Sequence, residues 1–244
     1  TGTFLKYGLL ALGFVLSLLL HIDLDYNTFY VDETGYLFAG ERLLFGEDWP
    51  TRSYVFSSDI PLLLLASAQW LIGEHGGRAL ALLASFLACG FLYLAIRKLS
   101  VSPFSALCTV LAASLLPAHV IIGQLATYDA LCFLVFGICV FIAAQHQQTT
   151  RSTTALMLGL AFSLAVLMKY IAITFLPGLV LWFWFYHRHH LVPFLLAAVV
   201  PLAIYAGVHF EALLVLVEQQ LLGTHRPNAE VGFLLNGIFL HLYP

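Results

Sequence analysis

Long apolar stretches separated by short polar breaks occupy most of this chain, and their lengths set the first expectation. A helix needs about 20 apolar residues to cross a bilayer. Phe4–Ile22, Arg78–Ile96, Pro103–Ile122, Ala130–Ala144, Thr154–Tyr170, Ile171–Tyr186 and Leu191–His209 are read as spans, and a last apolar run, Val231–Leu242, meets the end of the chain. Pro61–Ile72 is apolar but short. Runs of about 10–14 residues lie in the interface or re-enter it more often than they cross. Before it comes a polar interval in which aromatics are interleaved with charges. Within this interval Tyr36, Leu37, Gly40, Leu43 and Leu44 share one helical face, with Asp32 placed as N-cap and Gly46 as stop. The pattern predicts a surface helix over Asp32 to Phe45 inside a first outer loop of residues 23–77.

Composition sharpens the class. Of 244 residues, 61% are hydrophobic, 14% aromatic and only 9% charged, with a mean hydropathy of +0.93. A soluble domain carries about a quarter charged residues, so both a water-soluble globule and a disordered chain are excluded. No basic patch suits nucleic acid. Cys89, Cys108, Cys132 and Cys139 lie in apolar runs without CxxC spacing, which argues against a disulfide framework or a zinc site. The first run resembles a signal peptide in position, but no small-x-small cleavage site follows it, so it is read as a retained helix. The predicted class is an all-α polytopic membrane protein in a single domain over residues 1–244, without internal repeat.

Charge supplies the topology. With the N-terminus inside and Pro61–Ile72 kept in the interface, Lys6, Arg97, Lys98, Arg151 and Arg188 fall on the inner side. All 13 Asp and Glu residues then fall outside or at the outer boundary. This is the positive-inside pattern. It predicts an integral protein of the plasma (inner) membrane with its site facing the periplasm or exterior. His187, Arg188, His189 and His190 follow a Trp/Phe-rich helix end, where a basic interfacial turn is favoured over a metal site for want of acidic or Cys partners.

Candidate chemistry gathers on the acidic side. Asp32 and Glu33 open the surface helix, and Asp129 stands between two spans; capping remains the alternative for Asp32 and Asp129. Arg42, Arg52, Arg78, Lys169 and Arg226 are the cations there. Lys169 lies in an apolar stretch, where a charge is costly enough to point to function, with snorkelling to the headgroups as the alternative. Carboxylates at such a boundary can activate a hydroxyl or hold a divalent ion, and cations can grip a phosphate whose lipid tail stays in the bilayer. Together they fit a lipid-phosphate substrate.

Val31-Asp32-Glu33-Thr34-Gly35-Tyr36, with Glu41-Arg42-Leu43-Leu44 and Gly46-Glu47-Asp48-Trp49-Pro50, resembles the first outer loop of the GT-C membrane glycosyltransferases. The nearest branch comprises the relatives of dolichyl-phosphate-mannose protein mannosyltransferases and of lipid A aminoarabinose transferases. Pro61–Gly73, Arg78-Ala79-Leu80, Leu116-Pro117, Thr127-Tyr128-Asp129-Ala130 and Met168-Lys169-Tyr170 before Phe175-Leu176-Pro177 follow in the same order. The resemblance implies a GT-C transmembrane bundle whose first outer loop contains interfacial helices. It implies transfer of a sugar, with inversion, from a polyprenyl-phosphate donor to a protein, lipid or glycan acceptor outside the cytoplasm. In this likeness Asp32 is the catalytic carboxylate, a general base or an orienter of the acceptor, with Asp129 near it. Glu33, counted with Asp32 and Asp129 among the catalytic acids, would with Asp129 shape the site or hold a divalent ion, and Asp32 and Asp129 are the first choice for a metal. Lys169, Arg42, Arg52, Arg78 and Arg226 would meet the donor phosphate, with an interfacial anchor as the alternative for Arg78. Tyr36 and Trp49 would stack on sugar, with membrane-interface aromatics as the commoner alternative. Many relatives carry Lys or His just before the proline that opens the interfacial helix. Here Ser58-Asp59-Ile60-Pro61 stands instead, which shifts weight to Lys169, Arg52 and Arg226. The chain ends within what would be a middle span, so the expectation is either that the family's later helices are missing or that this is a shortened member. The alternatives are a transporter or flippase-like carrier and an inactive scaffold of the same fold. Whether Asp32 and Asp129 meet in one outward cavity discriminates the enzyme from the carrier.

Overall fold

The computed structural model describes residues 2–22, 31–46 and 57–216. Among these residues the fold is all-α, in the order α1 (Gly2–Ile22), α2 (Val31–Leu44), α3 (Asp59–Ile72), α4 (Gly76–Lys98), α5 (Pro103–Ser114), α6 (Pro117–Gln124), α7 (Tyr128–Thr149), α8 (Ser152–Met168), α9 (Leu176–Tyr186), α10 (Leu191–Val208) and α11 (Phe210–Leu216). Three helical segments, Gly76–Lys98, Tyr128–Thr149 and Arg188–Val208, are long and apolar enough to cross a membrane. The expected run Val231–Leu242 lies outside the described residues, as do Trp49, Arg52 and Arg226.

Where the structure departs from the sequence expectation, proline or a cap explains it. The span expected over Pro103–Ile122 is α5 and α6, bent by 69°. Leu116, forced out of the helical region by the proline that follows, is extended at φ −64°, ψ 134°, and Pro117 opens the new helix where its missing N–H costs nothing. The runs expected as Thr154–Tyr170 and Ile171–Tyr186 meet at an extended Lys169 and a 3₁₀ turn, Tyr170–Phe175, before Pro177 restarts the helix in α9. Asp32 is not the N-cap of α2; it lies inside the first turn. Gly46 does end that helix, with φ +72°. The α3 helix is short, as expected, and Ser58 caps it by accepting from the Ile60 N–H at 3.3 Å.

Small residues let the helices approach. Ala81, Ala84, Ser85 and Ala88 form the buried stripe of α4, and a Cβ on Gly137 of α7 would stand 3.0 Å from the Ala88 carbonyl. Small interfaces of this kind drive packing where lipid gives no hydrophobic advantage. The α8–α10 contact is closer still, since a Cβ on Gly159 would collide with the Phe194 carbonyl. Phe183 of α9 stacks on Phe194 with ring centroids 4.7 Å apart. Polar bonds fasten α1. Ser17 donates to Ser114 at 3.0 Å, His21 Nε2 meets His119 Nδ1 at 3.3 Å, and Gln124 donates to the Leu20 carbonyl at 2.6 Å. On the outside of α10, Val192, Leu196, Val199, Val200, Ile204 and Val208 are exposed along one stripe, the surface a lipid-facing helix presents.

Candidate functional site

Neighbouring helical residues point about 100° apart, so Asp32 and Glu33 cannot face the same way. Glu33 turns inward and is fully buried, whereas Asp32 is exposed. The Glu33 carboxylate accepts from Arg78 Nε and Nη2, each at 2.8 Å, and its Oε1 accepts the Ala126 backbone N–H at 2.8 Å. One carboxylate thus joins α2, α4 and the turn before α7. Arg78, expected at the donor phosphate, and Glu33, expected among the catalytic acids, are instead each buried and bonded to the other. Glu33 was legible on the core face, because it precedes the buried Leu37 and Gly40 by four and seven residues.

Tyr36 lies one helical turn beyond Asp32 and donates its hydroxyl to the Tyr128 hydroxyl at 3.2 Å, with ring centroids 4.5 Å apart. Tyr128 opens α7 and is followed by Asp129, whose Oδ1 accepts from the Lys169 ammonium. The same ammonium lies 5.4 Å from the Tyr128 ring centroid, close enough for cation–π attraction. Asp129 and Lys169 are 34% and 30% exposed, so the pair sits at a mouth rather than in the core. Lys169 reaches it from the extended junction after α8. The Ser58 N–H donates to the Leu167 carbonyl at 2.8 Å, which docks the start of α3 beside that junction.

The Tyr36 hydroxyl lies within electrostatic reach of both acids. Its pKa is raised above the ordinary tyrosine value first by burial, then by the hydrogen bond to Tyr128, and further by the negative charges of Asp32 and Asp129. Both carboxylates therefore act on one hydroxyl. Asp32, Tyr36, Tyr128, Asp129 and Lys169 form the candidate site. Tyr128, bonded to Tyr36 and next to Asp129 in the chain, links α2 to α7 and was missed as a site residue in the sequence.

The other cations divide. Arg42 lies ten residues beyond Asp32 on α2, about 15 Å along the axis, with its guanidinium 5.0 Å from the Phe38 ring centroid. Arg52 and Arg226 fall outside the described residues. Among the described residues no group of three or more His, Cys, Asp or Glu side chains is disposed to hold a metal ion. The carboxylates here are Asp32 and Asp129, the latter engaged with Lys169.

Residues 51–217 match the family described as dolichyl-phosphate-mannose-protein mannosyltransferase. The matched stretch contains Arg78, Tyr128, Asp129 and Lys169 and begins after α2, so Asp32, Glu33 and Tyr36 precede it. No curated protein and no solved structure matches the chain.

Proposed function

The chain belongs to the dolichyl-phosphate-mannose-protein mannosyltransferase family, and from that premise we propose that it transfers a sugar from a polyprenyl-phosphate donor to an acceptor hydroxyl at the acidic end of its helical bundle, outside the cytoplasm. The observation that carries this reading is the convergence of exposed Asp32 with Asp129, Lys169 and the Tyr36–Tyr128 pair.

In the proposed reaction Asp32 accepts the proton of the acceptor hydroxyl. The hydroxyl oxygen forms a bond to the anomeric carbon as the bond from that carbon to the donor phosphate breaks. The bonding electrons leave on the polyprenyl phosphate, and attack opposite the leaving group inverts the centre. Lys169 offsets the charge that grows on the departing phosphate, exchanging part of its bond with Asp129 for one to phosphate. Asp129 keeps the ammonium aimed at the site when no donor is bound. Glu33 and Arg78 are positioning residues: by pinning α2 they hold Asp32 toward the open side. Two carboxylates on the acidic side are the groups that would meet a divalent cation, whose chemistry would be to neutralise phosphate charge.

The test is a panel of radiolabelled polyprenyl-phosphate sugars, mannose among them, incubated with membranes containing the chain and a mixture of hydroxyl acceptors. Label should move from lipid to acceptor for at least one sugar. Membranes in which no donor is consumed, with the protein shown to be inserted, would contradict the proposal.

A further inference from the structure

The opposite end of the bundle gathers the C-termini of α4, α7 and α9 and the N-termini of α8 and α10. It carries Arg97, Lys98, Arg151 and Arg188, and no ion pair satisfies any of the four among the described residues. Gln148 donates to the Lys98 carbonyl and ties α7 to α4 there.

Two cavities open at this end. One is an apolar slot of about 600 Å³ between α7 and α9, lined by Leu99, Val140, Ala143, Ala144, Gln147, Trp182 and Tyr186. It runs along α7 for about 10 Å, the rise over seven helical residues. The other, of about 420 Å³, is walled by His187, Arg188, His189 and His190 together with Tyr186. Tyr186 lines both, and His187 braces the wall between them. Its Nε2 donates to Gln147 at 2.9 Å, and its ring packs 5.0 Å from that of Trp182. Trp184, Phe185 and Tyr186 are exposed beside the cavities. An aromatic band of this kind marks headgroup depth in a bilayer. The two cavities share Tyr186, so at the level of the headgroups an apolar slot adjoins a pocket that carries Arg188.

We propose that this end binds one anionic phospholipid, with an acyl chain in the slot between α7 and α9 and the phosphate over the His187–His190 turn. The chemistry is complementary at both ends of the ligand. Basic pockets between membrane helices hold anionic headgroups, and the guanidinium of Arg188, exposed and placed at the helix start, offers charge-assisted donors to phosphate. A soluble anion would leave the slot empty, and a neutral lipid would leave the cations unmatched. The site lies at the other end of the bundle from Asp32 and does not depend on the transfer reaction.

Purified, delipidated full chain in neutral detergent would be titrated with phosphatidylglycerol, with phosphatidylcholine of the same acyl chains, and with glycerol phosphate, and bound ligand counted by native mass spectrometry. One phosphatidylglycerol should bind at least about tenfold more tightly than phosphatidylcholine, and glycerol phosphate should not bind. Arg188→Gln should weaken phosphatidylglycerol about tenfold, while Lys98→Gln, with the same change of charge at the same end but outside both cavities, should not. Arg188 is exposed and Lys98 partly exposed, and neither makes an ion pair among the described residues, so the variants should fold. Equal weakening by the two variants would mean diffuse charge and overturn the site. Equal binding of the two lipids would overturn the headgroup's role, and binding of glycerol phosphate would overturn the slot's.

Discussion

A buried carboxylate with three donors on it fixes the local geometry of this site. Glu33 and Arg78 are 0% and 2% exposed, and removing one partner of such a pair strands the other charge, at a cost of about 3–5 kcal/mol. Glu33→Gln should therefore lower stability by that order, read as a drop in the thermal midpoint of the detergent-solubilised chain. Glu33→Leu combined with Arg78→Met should recover much of the loss, because apolar replacement of both partners is often neutral. A double variant worse than the single would show that the pair itself supplies net stability. Lys169 is half-exposed, and its replacement acts on function. Lys169→Met should raise the donor KM with little change in stability, and should lower kcat if the ammonium meets leaving-group charge. An unchanged KM would separate Lys169 from the donor. At this scale the acids and Lys169 were legible because charge is rare in so apolar a chain. The occupation of Glu33 by Arg78 was not, since 45 residues separate them and they meet only because α2 and α4 both pack on α3.

Elements were legible where periodicity was long and obscured where proline or a junction cut it. Apolar content cannot show the 69° bend at Leu115–Leu116, because both arms are equally apolar; Pro117 was the available signal. The sequence divided the next stretch at Tyr170–Ile171, but the extended Lys169 and the 3₁₀ turn that fill the junction have no signal in apolar content. The α2–α3 contact rests on Gly40, where an added Cβ would collide with the Leu62 carbonyl. Backbone cannot yield as a flexible side chain can, so Gly40→Val should push α2 off α3 and cost about 1–3 kcal/mol. Because α2 carries Asp32, turnover should fall as well. Gly35→Ala, at a position with open space around it, is the matched control and should leave both stability and turnover near their original values. Equal loss in the two variants would contradict close packing at Gly40 as the cause.

Across the whole molecule the charges sort to two ends: Asp32, Asp129 and Lys169 at one, Arg97, Lys98, Arg151 and Arg188 at the other. That sorting was legible, since the positive-inside pattern depends on short loops that the sequence displays directly. In a background lacking the native cysteines, Glu74→Cys, with its side chain 82% exposed near the acidic end, should react with an impermeant thiol reagent applied to intact cells. Arg151→Cys at the basic end should react only after the membrane is opened. The reverse labelling would invert the proposed orientation. The convergence of α2 and α7 on one hydroxyl was beyond the sequence, because no spacing relates Tyr36 to Tyr128, and it is on this convergence that the proposed chemistry stands. The most direct test is turnover of Asp32→Asn on a hydroxyl acceptor. Asparagine keeps the shape of the side chain and removes its basicity. The account predicts a folded, inserted protein whose turnover falls about 10²–10⁴-fold, the scale of a lost general base. Turnover near the original rate would contradict it and leave Asp32 as an ordinary first-turn residue of α2.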